Sequence, residues 1–160
     1  MRQRIFMRIM FVCHGNICRS PMAEFIFRDL IERAELDAEY FCDSSATSDE
    51  EIGYDGVGNP MYPPAQNVLV RHGLLPTGKT AKRLRREDYG KYNYFVGMDS
   101  ANLRNMSLIF GGDPDNKIIK LNEKDVDDPW YTGDFETAYK EIYEGCLELL
   151  KRLIIEECVT

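Results

Sequence analysis

A chain of 160 residues, 44% hydrophobic and 29% charged, suffices for one domain around one sizeable core and reads as an ordinary globular protein. Its formal net charge of -7 argues against nucleic acid or anionic membrane as a partner, and no apolar run approaches the roughly 18 residues of a membrane span. Five cysteines, an odd number at irregular spacing without an extracellular signal, point to reduced thiols and a cytoplasmic location.

The opening MRQRIFMRIMFVC is basic, then apolar, but Arg8 interrupts the apolar stretch and no small-residue cleavage site follows. Residues 1–6 are read as an N-terminal extension, with Met7 an alternative start, leading into the buried strand RIMFVC at 8–13. PMAEFIFRDLIERA follows as a helix with Met22, Phe25, Ile26, Leu30 and Ile31 on one face. EYFCDSSA is a second strand, and PPAQNVLVRHGL a helix opened by proline and closed by Gly73. The basic run GKTAKRLRRED, around Lys79 to Arg86, reads as a solvated face. YNYFVGMDS is a third strand running into the helix SANLRNMSLIF, and NKIIKLNE a short fourth strand. A long amphipathic helix from Phe135 to about Glu157 ends the chain, its apolar stripe carrying Tyr139, Ile142, Tyr143, Cys146, Leu149, Leu150 and Leu153.

Strand then helix, repeated about four times, predicts a single-domain α/β fold over residues 1–160, Rossmann-like, with a parallel sheet of about four strands and helices on both faces. Ligands in such folds sit beyond the carboxyl ends of the strands, and the first strand ends at Cys13.

That position opens FVCHGNICRSP, Phe11 to Pro21. Pro21 suits the first turn of a helix with Ser20 as its N-cap, so the helix is expected to start just after Arg19. Gly15 and Asn16 both tolerate positive φ, which lets the loop curl its amides inward as an anion cradle at a helix N-terminus. Arg19 adds a planar two-pronged donor suited to phosphate oxygens. Helix N-termini and cationic neighbours favour thiolates, so Cys13 is expected to be a nucleophile facing a bound tetrahedral oxyanion. Residues 13–19, with His14, Ile17 and Cys18, therefore read as a phosphate-binding loop between the first strand and the first helix. Expelling a phenolate at neutral pH calls for an acid, and DVDDPWYTGDF supplies one. Asp128 stands before proline with Trp130 and Tyr131 after it; Asp125, Asp127 and Asp134 are its rivals.

Taken together, FVCHGNICRSPMAE, DSSATSDEEIG, VRHGL, YFVGMDSANLRNM and DDPWYTGDFETAY resemble the low-molecular-weight protein tyrosine phosphatases over nearly the whole chain. The resemblance implies a phosphocysteine mechanism acting on a phosphotyrosine-containing protein, with Cys13 as nucleophile, Arg19 as phosphate clamp and Asp128 as general acid. It implies that Ser20 donates to the Cys13 sulfur and that Asn16, Ser44 and His72 form a network holding the loop. His72 at a helix end also fits a role for the helix dipole alone, and Ser44 one in a turn, while Asp99 reads as the N-cap of the following helix. Trp130 and Tyr131 would line the substrate crevice, and Cys18 would trap Cys13 in a reversible disulfide. Cys42, Cys146 and Cys158 read as packing or surface thiols. No metal or other cofactor is expected, and the protein is taken as a monomer.

This chain also departs from the family pattern. His14 follows the nucleophile where relatives often carry a small or apolar residue, so it enters the crevice wall. No aromatic stands at 49–51, and Glu50 and Glu51 would repel acidic peptides unless Tyr54 swings in. Of the alternatives, an arsenate reductase would need further cysteines in the middle of the chain, and none lies between Cys42 and Cys146. A protein-arginine phosphatase of the same fold tends to carry threonine where Ile17 stands. A non-catalytic phosphate-binding module would be expected to have lost the thiol or the acid. A metal site on Cys13, His14 and Cys18 is opposed by Arg19.

Overall fold

The computed structural model describes residues 6–159, with side chains as far as Cys158. The extension expected at 1–6 lies outside the described residues except for Phe6, which is exposed and packs on Phe41. The elements run β1 (Met7–Cys13), α1 (Arg19–Arg33), β2 (Tyr40–Ala46), α2 (Pro63–Arg71), β3 (Tyr94–Gly97), α3 (Ser100–Phe110), β4 (Ile118–Lys120), α4 (Pro129–Thr132) and α5 (Phe135–Val159). All strand pairs are parallel and the order is β2-β1-β3-β4, as the strand–helix alternation requires. Among the described residues no helix is long and apolar enough to cross a membrane.

The period of two along β1 divides the core. Ile9, Phe11 and Cys13 face a large apolar cluster built with α1, α2 and α5, whereas Met10 and Val12 face a smaller one with Leu84, Tyr92, Phe95, Met106 and Phe110. Both faces of the strand are covered, which is why its sequence is nearly continuously apolar. The chain passes from β1 to β2 on one side and later to β3 on the other, so the sheet order reverses at the carboxyl end of β1. A crevice opens at such a switch point, and Cys13 stands at it.

Three local readings are corrected. α1 begins at Arg19, two residues earlier than a Ser20 N-cap would place its first residue; Cys18 is the N-cap and makes no side-chain capping bond. The Ser20 hydroxyl is thereby released from capping and turns towards the loop. The first half of α1 is buried on all sides, Glu24 included, because the helix is wedged between the sheet and α5. In the stripe of α5, Ile142, Cys146, Leu149, Leu150 and Leu153 are buried, but Tyr143 lies at its edge, 38% exposed.

Candidate active site

The loop from Cys13 to Arg19 is held from outside. The Cys13 and His14 carbonyls accept from the Thr47 and Ser48 amides at 3.0 and 3.1 Å, and the Ile17 carbonyl accepts from the Tyr62 amide at 2.9 Å. Across a trans peptide the C=O and the following N–H point in opposite directions. Tethering these carbonyls outward thus turns the amides of His14, Gly15 and Cys18 to the inner side, forming a cradle for an anion. Of the two residues expected to supply positive φ, only Asn16 does so, at 61°. At Gly15 a Cβ would stand 3.3 Å from the Glu51 side chain, which would have to shift by a few tenths of an ångström to admit it.

Cys13 lies at the floor, 3% exposed. The amides of Asn16 and Ser20 each point at its sulfur at 3.4 Å, and the Ser20 hydroxyl lies 3.0 Å from it. Arg19, also 3% exposed, donates from Nη1 to Asp99 Oδ2 at 2.7 Å and to the Val126 carbonyl at 2.8 Å. Its Nη2 stands 3.5 Å from Asp128 Oδ2. Burial works against the Arg19 charge, but the Cys13 sulfur and the carboxylates of Asp99 and Asp128 more than offset it and hold its pKa above the ordinary value.

Asp99 proves to be more than the helix cap expected of it. Its Oδ1 accepts from the Asn102 amide at 2.8 Å as the N-cap of α3, while its other oxygen anchors Arg19. The four aspartates proposed as acids separate by geometry. Asp125 is engaged by Lys120 and Ser100, Asp134 caps α5 through Thr137, and Asp127 faces solvent. Asp128 lines the cavity; its Oδ1 accepts from the Trp130 amide at 3.0 Å, which fixes the carboxyl at the start of α4.

The cavity measures about 120 Å³ and is walled by Cys13–Arg19, Glu50, Glu51, Asp128, Trp130 and Tyr131. Trp130 is braced by the ring of Tyr62, with centroids 4.6 Å apart, and Tyr131 is 84% exposed at the rim. His14 stands opposite, paired with Glu50 at 3.0 Å. Tyr54 is fully exposed and does not line the cavity, so the acidic pair keeps that wall. Cys18 is buried in the loop; its burial first, then the neighbouring Cys13 and Asp128, push its thiol pKa far up, so it remains protonated at neutral pH. Among the described residues no group of three His, Cys, Asp or Glu side chains is placed to hold a metal ion.

Beneath the loop lies a buried network. Asn16 Nδ2 donates to the hydroxyls of Ser20 at 2.8 Å and Ser44 at 3.0 Å, and its Oδ1 accepts from the Lys82 amide at 3.1 Å. His72 is not part of it. As the C-cap residue of α2, it turns towards α5, bonding Glu136 at 2.9 Å and stacking on Tyr139 at 3.8 Å. The network is completed instead by Glu24, whose Oε1 accepts from the Ser44 hydroxyl at 2.6 Å, and by Lys79. Lys79 also corrects the solvated-face reading of the basic run, since its side chain is 9% exposed. The signal available in the sequence was Glu24 on a helix turn otherwise rich in apolar residues.

A profile of the family described as low molecular weight phosphotyrosine protein phosphatase matches residues 8–158. The chain belongs to that family. As a family member it is a phosphatase, like the relatives that it matches over most of their length. The low molecular weight protein-tyrosine-phosphatase YfkJ of Bacillus subtilis is 36% identical over 149 residues, covering 89% of this chain and 92% of the relative. The crystal structure of YfkJ superposes on this phosphatase with a TM-score of 0.89 at 34% identity, over 98% of this chain and 99% of that one. A crystal structure of a Drosophila arginine phosphatase superposes with a TM-score of 0.79 at 27% identity, over 92% of this chain and 98% of that one.

Proposed function

We propose that this phosphatase hydrolyses phosphotyrosine on protein substrates in two steps through a phosphocysteine intermediate. The reading is carried by one juxtaposition: a buried cysteine, a buried arginine and a part-exposed aspartate around a single small cavity with aromatic rings at its rim. In the first step the Cys13 sulfur attacks phosphorus while the tyrosyl oxygen leaves, taking the proton of Asp128. Arg19 and the loop amides hold the three non-bridging oxygens as charge builds on them. In the second step Asp128, now a carboxylate, takes a proton from water as that water attacks phosphorus. The S–P bond breaks, and the Ser20 hydroxyl donates to the departing sulfur. The unpaired thiols support a reduced, cytoplasmic setting, and we take the protein to act as a monomer.

Ile17 is buried in the loop wall without a polar group to meet a guanidinium, which favours phosphotyrosine over phosphoarginine. Assayed side by side on peptides of each kind, the wild type is expected to prefer phosphotyrosine and Ile17→Thr to shift the ratio towards phosphoarginine. A wild-type preference for phosphoarginine would keep the chemistry and replace the substrate.

Cys18 supports a protective reaction. Peroxide oxidises the Cys13 thiolate to a sulfenic acid, and the Cys18 thiol then displaces hydroxide to form the Cys13–Cys18 disulfide, which thiol reductants reopen. Mild peroxide should therefore inactivate the wild type reversibly, and Cys18→Ser should recover far less activity on reduction. Equal recovery in both would remove Cys18 from this role.

A further inference from the structure

Glu24 and Lys79 take no part in the chemistry, yet both are withdrawn from water, at 5% and 9% side-chain exposure. A buried ion pair is weak evidence for stability, so its presence directly beneath the catalytic loop asks for another reason. Donor and acceptor accounting supplies it. The Lys82 amide can only donate, so the atom of Asn16 facing it is the carbonyl oxygen, and the Asn16 NH2 must point at Ser20 and Ser44. Both hydroxyls then accept from Asn16, and each has one proton left to give. The Ser44 proton goes to Glu24 Oε1, and the Ser20 proton is left for the Cys13 sulfur.

The order is completed by an acceptor at position 24, which takes the Ser44 proton and leaves the Ser44 oxygen to Asn16. Lys79 Nζ stands 3.5 Å from Glu24 Oε1, 3.7 Å from Asp43 Oδ1, and donates to the Ser44 carbonyl at 2.8 Å. The other groups at hand are Arg28, 2.6 Å from Glu24 Oε2 on the solvent side, Lys82, which is paired with Asp43, and the buried Cys42 thiol, which donates to the Glu24 carbonyl at 3.4 Å. Burial lowers the Lys79 pKa, while Glu24 and Asp43 work to keep its proton.

We propose that Lys79 and Glu24 are positioning residues of the phosphatase: Lys79 holds the Glu24 carboxyl where it accepts the Ser44 proton, which turns the Ser44 oxygen to Asn16 and, together with the Lys82 amide, holds the chain Glu24–Ser44–Asn16–Ser20 so that the Ser20 proton is aimed at the nucleophile. The inference rests on Cys13 being that nucleophile. Replacing both charges by apolar residues separates positioning from stability, because a buried pair exchanged for packed hydrophobes is often neutral or stabilising.

The experiment compares wild type, Glu24→Met/Lys79→Met, Lys79→Met and Glu24→Gln. Three readouts are taken: melting temperature, the pH profile of kcat/KM on a phosphotyrosine peptide, and the pH profile of inactivation by iodoacetamide. The double variant should melt no lower than wild type, yet lose about tenfold or more in kcat/KM, the scale of one hydrogen bond to a charged group. Its iodoacetamide profile should move to higher pH by about one unit, the equivalent of that factor. Glu24→Gln, whose amide oxygen still faces Lys79 and Ser44, should retain most of the rate. A double variant with wild-type kcat/KM and wild-type profiles would overturn the inference. Should the double variant not fold, Lys79→Met decides: with the Glu24 carboxyl no longer held at Ser44, the iodoacetamide profile must move to higher pH and kcat/KM must fall, and wild-type values of both would overturn it too. Loss of the wild-type rate in Cys13→Ser tests the underlying phosphatase reading separately, and the alkylation profile reports on the thiol whatever the substrate.

Discussion

Replacing Asp128 by alanine is expected to slow hydrolysis of a phosphotyrosine peptide by about 10²–10⁴-fold, the usual span of a positioned acid–base group. The size of the loss depends on the leaving group. A tyrosyl phenolate, with a conjugate acid of pKa about 10, needs the proton in the transition state. An aryl ester with a nitro-substituted phenol leaves without much help and should feel the substitution less. Among the four aspartates the geometry favours this one, because Asp125 and Asp134 are spent on Lys120, Ser100 and Thr137, Asp127 faces solvent, and Asp128 lines the cavity. The same carboxyl stands 3.5 Å from Arg19 Nη2 with its other oxygen on the Trp130 amide. Equal losses on both esters, measured as kcat under saturating substrate, would take Asp128 out of the acid role.

Arg19→Lys should cost about 10²–10³-fold in kcat, as removal of a preorganised oxyanion donor does, although the charge is conserved. The guanidinium is held as a fork: Nη1 is committed to Asp99 and the Val126 carbonyl, which leaves Nη2 near Asp128 and open towards the cavity. A lysine ammonium is a point charge on a flexible stem and cannot satisfy those acceptors and the phosphate together. Leaving the Asp99 oxygen without its partner also puts an unpaired carboxylate beside the anion site. Competitive inhibition by inorganic phosphate or vanadate should weaken in step with kcat. A lysine variant with wild-type kcat would show that the loop amides alone carry the oxyanion.

Much of the site was legible because it is local in the chain. Cys13, Asn16, Arg19 and the start of α1 fall within one strand–loop–helix passage, where strand period, positive φ and proline at the first turn all act over a few residues. The sheet followed from the alternation of elements for the same reason. What escaped was set by distant packing. Asp99 reaches Arg19 across 80 positions of sequence, and Glu24 meets Ser44 and Lys79 only once β2 has paired with β1 and α1 has folded over it. Lys79 sits in a basic run whose other members look alike, and nothing in the run distinguishes the one that is buried. Serine before Pro21 matches the local rule for a cap, whereas the demand of the thiol and Asn16 for its hydroxyl comes from the folded loop. The family resemblance puts His72 in the network, but α2 ends against α5 and delivers the ring to Glu136 and Tyr139.

The most direct test is a rapid-quench experiment with a phosphotyrosine peptide labelled on phosphorus, run with wild type and Cys13→Ser in the presence of a chelator. The account predicts label bound covalently to the wild-type protein at Cys13 early in turnover and released as phosphate later, with neither bound label nor turnover in Cys13→Ser. Turnover that survives in Cys13→Ser, or proceeds in the wild type with no phosphorylated protein at any time, would mean that water attacks the substrate directly and would contradict it.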